Sequence, residues 1–127
     1  MKALLLVGLG GFAGSALRYL TGLLVLKVLP MGGFPLGTFT VNILGSFLIG
    51  FIYALSAKEN LVGPSGKLLL ATGFCGGFTT FSTFSFENLN LLQSGQYGTF
   101  SLYALSSFVL GLLAVGFGLW LGKLIVD

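Results

Sequence analysis

The chain has 127 residues, of which 55% are hydrophobic and 7% are charged, and its formal net charge is +3. Because a soluble domain carries about 25% charged residues, this composition excludes a water-covered globular surface and predicts one membrane-embedded domain. The lone Cys75 and the absence of histidine exclude an internal disulfide and a Cys/His site for zinc or haem, and the few scattered cations exclude a nucleic-acid surface.

Four stretches reach the roughly 20 mostly apolar residues that a membrane-crossing helix needs. They cover about residues 3–26, 38–57, 67–92 and 99–122, and together they predict a single four-helix transmembrane domain over residues 1–127. The apolar N-terminus lacks a small-residue cleavage site, so we expect it to remain as the first helix. Loops with glycine and proline join the spans at Pro30–Gly37 and Lys58–Gly66.

The first span contains an arginine, Arg18, whose burial at the membrane centre costs at least about 2.5 kcal/mol. At helical spacing it shares a face with Gly11 and Gly14, so that face is predicted to meet protein or water. Arg18 either extends its long stem to the lipid headgroups or draws anions into a vestibule.

The second span has a small polar stripe, in which Thr38, Asn42, Ser46 and Gly50 recur every four residues. The Asn42 amide offers two N–H donors and one acceptor. Two interpretations stay open for it: a tie between two helices, or a donor that points at a passing anion.

The third span is predicted to be a broken helix. Gly73, Gly76 and Gly77 each lower helix stability by up to about 1 kcal/mol relative to alanine, and hydroxyl residues crowd the stretch 79–85 that follows. Unwound backbone at membrane depth must be buried in protein or line a wet cavity. Such a break often forms an ion site from free carbonyls and N–H groups.

Two phenylalanines directly after these glycines, Phe81 and Phe84, share a helix face. Because an aromatic ring has a positive edge, both rings are candidates to face a small anion, although ordinary packing is the alternative for any single phenylalanine. We interpret Glu87 first as a charge at a helix end, and second as a partner for a cation or for Arg18.

The fourth span places the hydroxyls of Tyr103 and Ser107 one turn apart, where they either bond to backbone or extend a polar track. Trp120 and Lys123 are predicted interfacial anchors. The chain shows no nucleophile–base pair, paired carboxylates or phosphate loop, so we expect no enzyme activity.

Glycines recur four residues apart in two spans, as Gly10 with Gly14 and as Gly118 with Gly122. Small residues let helices pack closely in lipid, either within one subunit or between subunits. Because four short helices hardly enclose an ion path alone, we favour an oligomer.

Three segments carry a family resemblance: GSALRY (14–19), GTFTVNILGS (37–46) and, most specifically, GFCGGFTTFSTFSFE (73–87). In order and spacing they closely resemble the Fluc (CrcB) fluoride channels over nearly the whole chain. Gly111 departs from the serine expected in some relatives and leaves the far end of the polar track open.

The resemblance implies an all-α membrane protein whose third helix is broken at mid-membrane. It implies an antiparallel, dual-topology homodimer in the cell inner (plasma) membrane. Two pores per dimer would passively export fluoride from the cytoplasm, and a structural Na⁺ would lie at the dimer centre.

The same resemblance implies roles for individual residues. Backbone carbonyls of Gly76 and Thr79 would bind the Na⁺, and Arg18 would lie in a vestibule. The fluoride pore would be lined by Asn42, Phe81, Phe84, Thr38, Ser82, Tyr103 and Ser107.

The distribution of the lysines argues against a dual topology. Lys2, Lys58, Lys67 and Lys123 fall on one side of the membrane and Lys27 on the other, which favours a single orientation. The alternative function is a small dual-topology, proton-coupled cation or multidrug exporter, which needs a carboxylate near the middle of a helix. A membrane scaffold subunit without transport is a second alternative.

Overall fold

The computed structural model describes residues 1–57 and 61–127. Within these ranges the chain is helical and contains no strand, which confirms the all-α prediction. The elements are α1 (Lys2–Val28), α2 (Leu36–Leu55), α3 (Pro64–Lys67), a π-helical segment (Leu68–Cys75), α4 (Gly76–Phe78), α5 (Phe81–Gln93) and α6 (Tyr97–Val126). Lys58, Glu59 and Asn60 of the predicted second loop lie outside the described residues.

Three helices of the described chain, α1, α2 and α6, are each long and apolar enough to cross a membrane. Their bounds lie within a few residues of the predicted first, second and fourth spans. The chain is therefore a multi-pass membrane protein. The predicted span 67–92 falls on the shorter elements from α3 to α5.

Local sequence signals explain where several helices begin and end. Pro64 opens α3, where its missing N–H costs no helical hydrogen bond. At the end of α5, Gly95 adopts a left-handed φ of 72°, and the N–H groups of Gly95 and Gln96 donate to Leu92 and Leu91. This Schellman arrangement satisfies the last carbonyls of α5 and lets the chain turn directly into α6.

The helix between α3 and α5 is interrupted at Thr79 and Thr80, whose backbones are extended (φ −89°, ψ 162° and φ −152°, ψ 114°). Our expectation that the preceding glycines themselves unwind the helix is wrong, because Gly73, Gly76 and Gly77 keep helical backbone. Thr80 instead caps α5: its hydroxyl accepts a hydrogen bond from the Thr83 N–H at 3.2 Å. The N-cap position requires non-helical backbone and so places the break after the glycines.

The glycines serve close packing. A Cβ on Gly73 or Gly77 would come within 2.8 and 2.5 Å of α1 backbone oxygens. From the other side, a Cβ on Gly10 or Gly14 would overlap the backbone of the π-helical segment. The Cα atoms of α1 and of the first half of the broken helix therefore approach more closely than larger side chains would allow.

The second glycine pair does the same between α2 and α6. A Cβ on Gly118 would overlap the Phe47 carbonyl, and one on Gly122 would come within 2.5 Å of the Ala54 Cβ. Both glycine pairs thus pack helices within one chain, as the first of the two interpretations predicts. Packing of glycines between subunits stays a prediction.

Candidate ion-binding site

The break in the helix is held from one side by Asn42 of α2. The Thr80 N–H donates to Asn42 Oδ1 at 2.8 Å, and Asn42 Nδ2 donates to the Thr80 carbonyl at 3.1 Å. One side-chain amide thus satisfies both backbone groups of a residue that has left the helix, as an adjacent strand would do. The interpretation of Asn42 as a tie between two elements is confirmed, and one of its N–H donors remains for another partner.

The break is held from the opposite side by Arg18 of α1. Its Nε donates to the Gly77 carbonyl at 3.1 Å, and the side chain is half-buried. Arg18 therefore contacts protein backbone, and the interpretation of a side chain extended to the headgroups is wrong for this conformation. The predicted shared face with Gly11 and Gly14 meets protein too, because Gly14 packs on Phe74 and Phe78.

A cavity of about 600 Å³, here called the phenylalanine cavity, lies on the α2 side of the break. Its wall is formed by α2, the two halves of the broken helix and α6. Six residues predicted for the pore or the cation site line it: Asn42, Gly76, Thr79, Phe81, Phe84 and Ser107.

Phe81 and Phe84 of this cavity are tilted against each other by 34°, and Phe84 also packs edge to face on Tyr103, which lies outside the cavity lining. The ring centroids of Phe81 and Phe84 lie 6.0 Å apart, and Phe84 meets Tyr103 at 5.0 Å and 62°. Phe81 is 79% exposed, whereas Tyr103 is fully buried. Tyr103 therefore fixes the orientation of Phe84, while Phe81 stands at the open side of the cavity.

Two hydroxyls predicted to form a polar track differ in their bonding. The Tyr103 hydroxyl donates to the Glu87 carboxylate at 3.3 Å. The Ser107 hydroxyl is buried and has no hydrogen-bond partner among the described residues. Because a buried unpaired hydroxyl is costly, Ser107 is the group in the phenylalanine cavity that most requires a further partner.

A second cavity of about 450 Å³, here called the arginine cavity, lies on the α1 side of the break. Arg18 and Thr38 line it, together with Thr80, Thr83 and Glu87. Thr80 lines both cavities, so the break forms the partition between them. Eight of the ten predicted site residues are thus divided over two cavities, while Tyr103 and Ser82 line neither.

Comparison with known proteins places the chain in a family. The family described as CrcB-like protein, Camphor Resistance (CrcB), matches residues 5–119. The chain belongs to the CrcB family. A protein from Chlorobium phaeobacteroides strain BS1 named "Fluoride-specific ion channel FluC" is 53% identical over 124 residues, which cover 96% of this chain and 94% of the relative.

Further relatives of this CrcB chain carry the same printed name. One from Chlorobaculum tepidum is 52% identical over 126 residues, covering 98% of this chain and 97% of its own. One from Bacteroides fragilis is 49% identical over 125 residues, covering 97% and 98%. The matched range contains the lining of both cavities, from Ser15 to Phe108.

The structure also gives the positions of three further residues named in the sequence analysis. Glu87 lies inside α5 and accepts a bond from Tyr103, so its interpretation as a charge at a helix end is wrong. Ser82 is exposed, with its hydroxyl 3.4 Å from that of Thr80. Gly111 faces Ser46, which a Cβ on Gly111 would approach to 3.8 Å.

The sequence analysis missed the role of Thr80, which lines both cavities at the partition between them. A local signal for it exists, because a threonine directly ahead of an apolar helical stretch is typical of an N-cap. Its pairing with Asn42 spans 38 positions of the chain, and no local pattern predicts it.

The predicted ligands of the cation are backbone carbonyl oxygens, those of Gly76 and Thr79. Because the Thr80 N–H is bonded to Asn42, the group that would normally bond to the Gly76 carbonyl is engaged elsewhere. Gly76 is exposed in the phenylalanine cavity, and no described atom lies within 4 Å of a Cβ built on it. Carbonyl oxygens suit a hard cation, so Gly76 and Thr79 fit the Na⁺ that the resemblance implies.

Proposed function

We propose that this chain is the subunit of a fluoride-specific ion channel that passively exports F⁻ from the cytoplasm. The observation that carries the proposal is the phenylalanine cavity, where a spare Asn42 N–H, the unpaired Ser107 hydroxyl and two phenylalanine rings line one space beside a helix break. The relatives' printed name adds support over the full length of the chain.

The physical logic rests on the hydration of fluoride. A pore must replace the water shell of this small anion with donors, yet must hold it weakly enough to release it. The amide, the hydroxyl and the positive ring edges donate without a full positive charge, so they satisfy both requirements. The guanidinium of Arg18 stays behind the partition, in the arginine cavity, where it raises the local anion concentration without trapping the ion at the pore.

The proposed assembly is an antiparallel, dual-topology homodimer with two pores, in which the two halves of the broken helix together form a fourth membrane crossing. The phenylalanine cavity of one subunit is open on one side, as the exposure of Phe81 and Gly76 indicates, and a second copy would complete its wall. The lysine distribution favours a single orientation, so the antiparallel arrangement rests on the resemblance.

The proposed Na⁺ would be held by the Gly76 and Thr79 carbonyls at the dimer centre. As a hard cation, Na⁺ would supply a positive charge that suits these carbonyl oxygens. The role of the chain is to present these oxygens: the extended backbone at Thr79 and the engaged Thr80 N–H leave them outside the helical hydrogen-bond pattern.

The test is anion efflux from liposomes that contain the purified protein, with fluoride-selective and chloride-selective electrodes. We expect rapid loss of fluoride and little loss of chloride. Phe84→Ile should reduce fluoride efflux at least about tenfold, because the ring edge beside Tyr103 is lost. Phe86→Ile, on the exposed face of the same helix, should retain wild-type efflux. Equal leakage of both anions contradicts selectivity.

The exporter and scaffold hypotheses give different results. A proton-coupled exporter depends on a carboxylate inside the membrane, and Glu87 is the acidic residue in this position. Glu87→Gln would abolish its transport, whereas a passive channel retains fluoride efflux without a proton gradient. A scaffold subunit carries neither ion.

A further inference from the structure

We propose that Arg18 is a positioning residue of the cation site: by bonding to the Gly77 carbonyl, it determines which carbonyls of the broken helix remain for Na⁺. This inference rests on the proposed function for the presence of the cation. It assigns Arg18 a role in addition to that of a charge in the vestibule.

The carbonyls around the break are divided between two kinds of partner. The Gly77 carbonyl accepts from Arg18 Nε at 3.1 Å, and the Thr80 carbonyl accepts from Asn42 Nδ2 at 3.1 Å. Gly76 and Thr79 alternate with these two residues. Their carbonyls receive neither side chain, and both residues line the phenylalanine cavity. The side-chain bonds therefore engage two of the five carbonyls from Gly76 to Thr80. Of the other three residues, only Gly76 and Thr79 line the phenylalanine cavity, where a cation could reach them.

The positive charge of Arg18 favours the same division of the carbonyls. A guanidinium is always protonated and offers five N–H donors, of which Nε is bound to Gly77. Arg18 lines the arginine cavity, on the other side of the partition from Gly76 and Thr79. Its positive charge thus makes the Gly77 side unfavourable for a cation and favours the phenylalanine-cavity side.

Loss of Arg18 therefore has a specific consequence. The Gly77 carbonyl would lose its charge-assisted partner and become free to rotate, so that the backbone from Gly76 to Thr79 has several competing arrangements. Sodium would then have to bind while ordering this segment, which weakens binding.

The experiment measures the Na⁺ dependence of thermal unfolding of the full chain in detergent. NaCl is titrated against choline chloride at constant ionic strength, and the Na⁺ concentration at half-maximal stabilisation is the midpoint. We expect Arg18→Leu to raise this midpoint about tenfold or more. Lys27→Gln, which removes a cation from the last turn of the same helix, should leave it unchanged.

Arg18→Lys keeps the positive charge and most of the side-chain bulk, so it serves if Arg18→Leu does not fold. A lysine replaces the planar fork with a single ammonium, so we expect an intermediate midpoint. A purely structural role for Arg18 would lower the melting temperature equally at every Na⁺ concentration and leave the midpoint in place, which overturns the inference.

Parallel efflux measurements separate this inference from the channel proposal. If the wild type carries fluoride and the Arg18 variants share its Na⁺ midpoint, the inference alone fails. If the midpoint depends on Arg18 but the wild type carries no fluoride, the inference holds and the channel proposal fails. A wild-type protein whose stability does not respond to Na⁺ overturns the inference.

Discussion

Asn42 shows how one polar side chain organises the site. Its amide pairs with both backbone groups of Thr80, while its side chain also lines the phenylalanine cavity. Without that pairing, an N–H and a C=O inside an apolar bundle would lack partners. Asn42 therefore combines this structural role with the position that its proposed role in transport requires.

Replacement of this residue tests the structural part. We expect Asn42→Ala to lower the free energy of unfolding by about 1–3 kcal/mol, because it leaves the Thr80 N–H and C=O unsatisfied. Thermal unfolding in detergent measures the effect. Ser56→Ala is the control, since Ser56 follows the last residue of the same helix and its hydroxyl donates to the nearby Tyr53 carbonyl. Equal stability of the two variants would contradict the role of Asn42.

Among the elements, the close contact of α2 with α6 depends on glycine, which lets one backbone lie directly on the other. Gly118 is buried against Phe47, whereas Gly116, two residues earlier on α6, is exposed and has no described atom within 4 Å of a built Cβ. The two glycines thus offer a matched pair on one helix.

We expect Gly118→Ala to destabilise the protein by about 1–3 kcal/mol, since the added methyl forces α2 and α6 apart. Gly116→Ala should be neutral or stabilising by up to about 1 kcal/mol, because alanine favours a helix. Thermal unfolding of both variants checks the difference. A Gly118→Ala protein as stable as the Gly116→Ala protein would rule out the close contact.

For the whole molecule, the open side of the phenylalanine cavity decides whether the site is complete. Gly76 lies at this opening, and a Cβ built on it would have no atom of the described chain within 4 Å. A large side chain there leaves the subunit intact and obstructs a second copy. Position 76 therefore separates folding of the subunit from assembly of the proposed dimer.

We expect wild-type protein in mild detergent with Na⁺ to run at twice the 13.3-kDa subunit mass, and Gly76→Leu to run as a folded single subunit. The physical reason is steric, because leucine would occupy the space between the copies. Light scattering coupled to size exclusion measures the mass, and Gly116→Leu on the exposed face of α6 is the control. A wild-type monomer, or a dimeric Gly76→Leu protein, would contradict the proposed assembly.

The sequence by itself determined the membrane environment, the all-helical class and the bounds of α1, α2 and α6 within a few residues. These features follow from apolar length and from the scarcity of charge, which are properties of contiguous residues. The motif at 73–87 also led to the CrcB family before any contact was known. The resemblance to this family also identified candidate residues for the pore, namely Asn42, Phe81, Phe84 and Ser107.

Only the tertiary structure decided where the helix breaks and which carbonyls remain free. Of the three glycines predicted to break the helix, Gly73 and Gly77 proved to be packing surfaces for α1, because glycine lowers helix stability but also permits close approach. The break occurs at Thr80, where an N-cap coincides with bonds from Asn42, 38 positions away, while Arg18, 59 positions from Gly77, holds the adjacent turn. Such pairings depend on which helices are neighbours in space, and a local pattern contains no information about that.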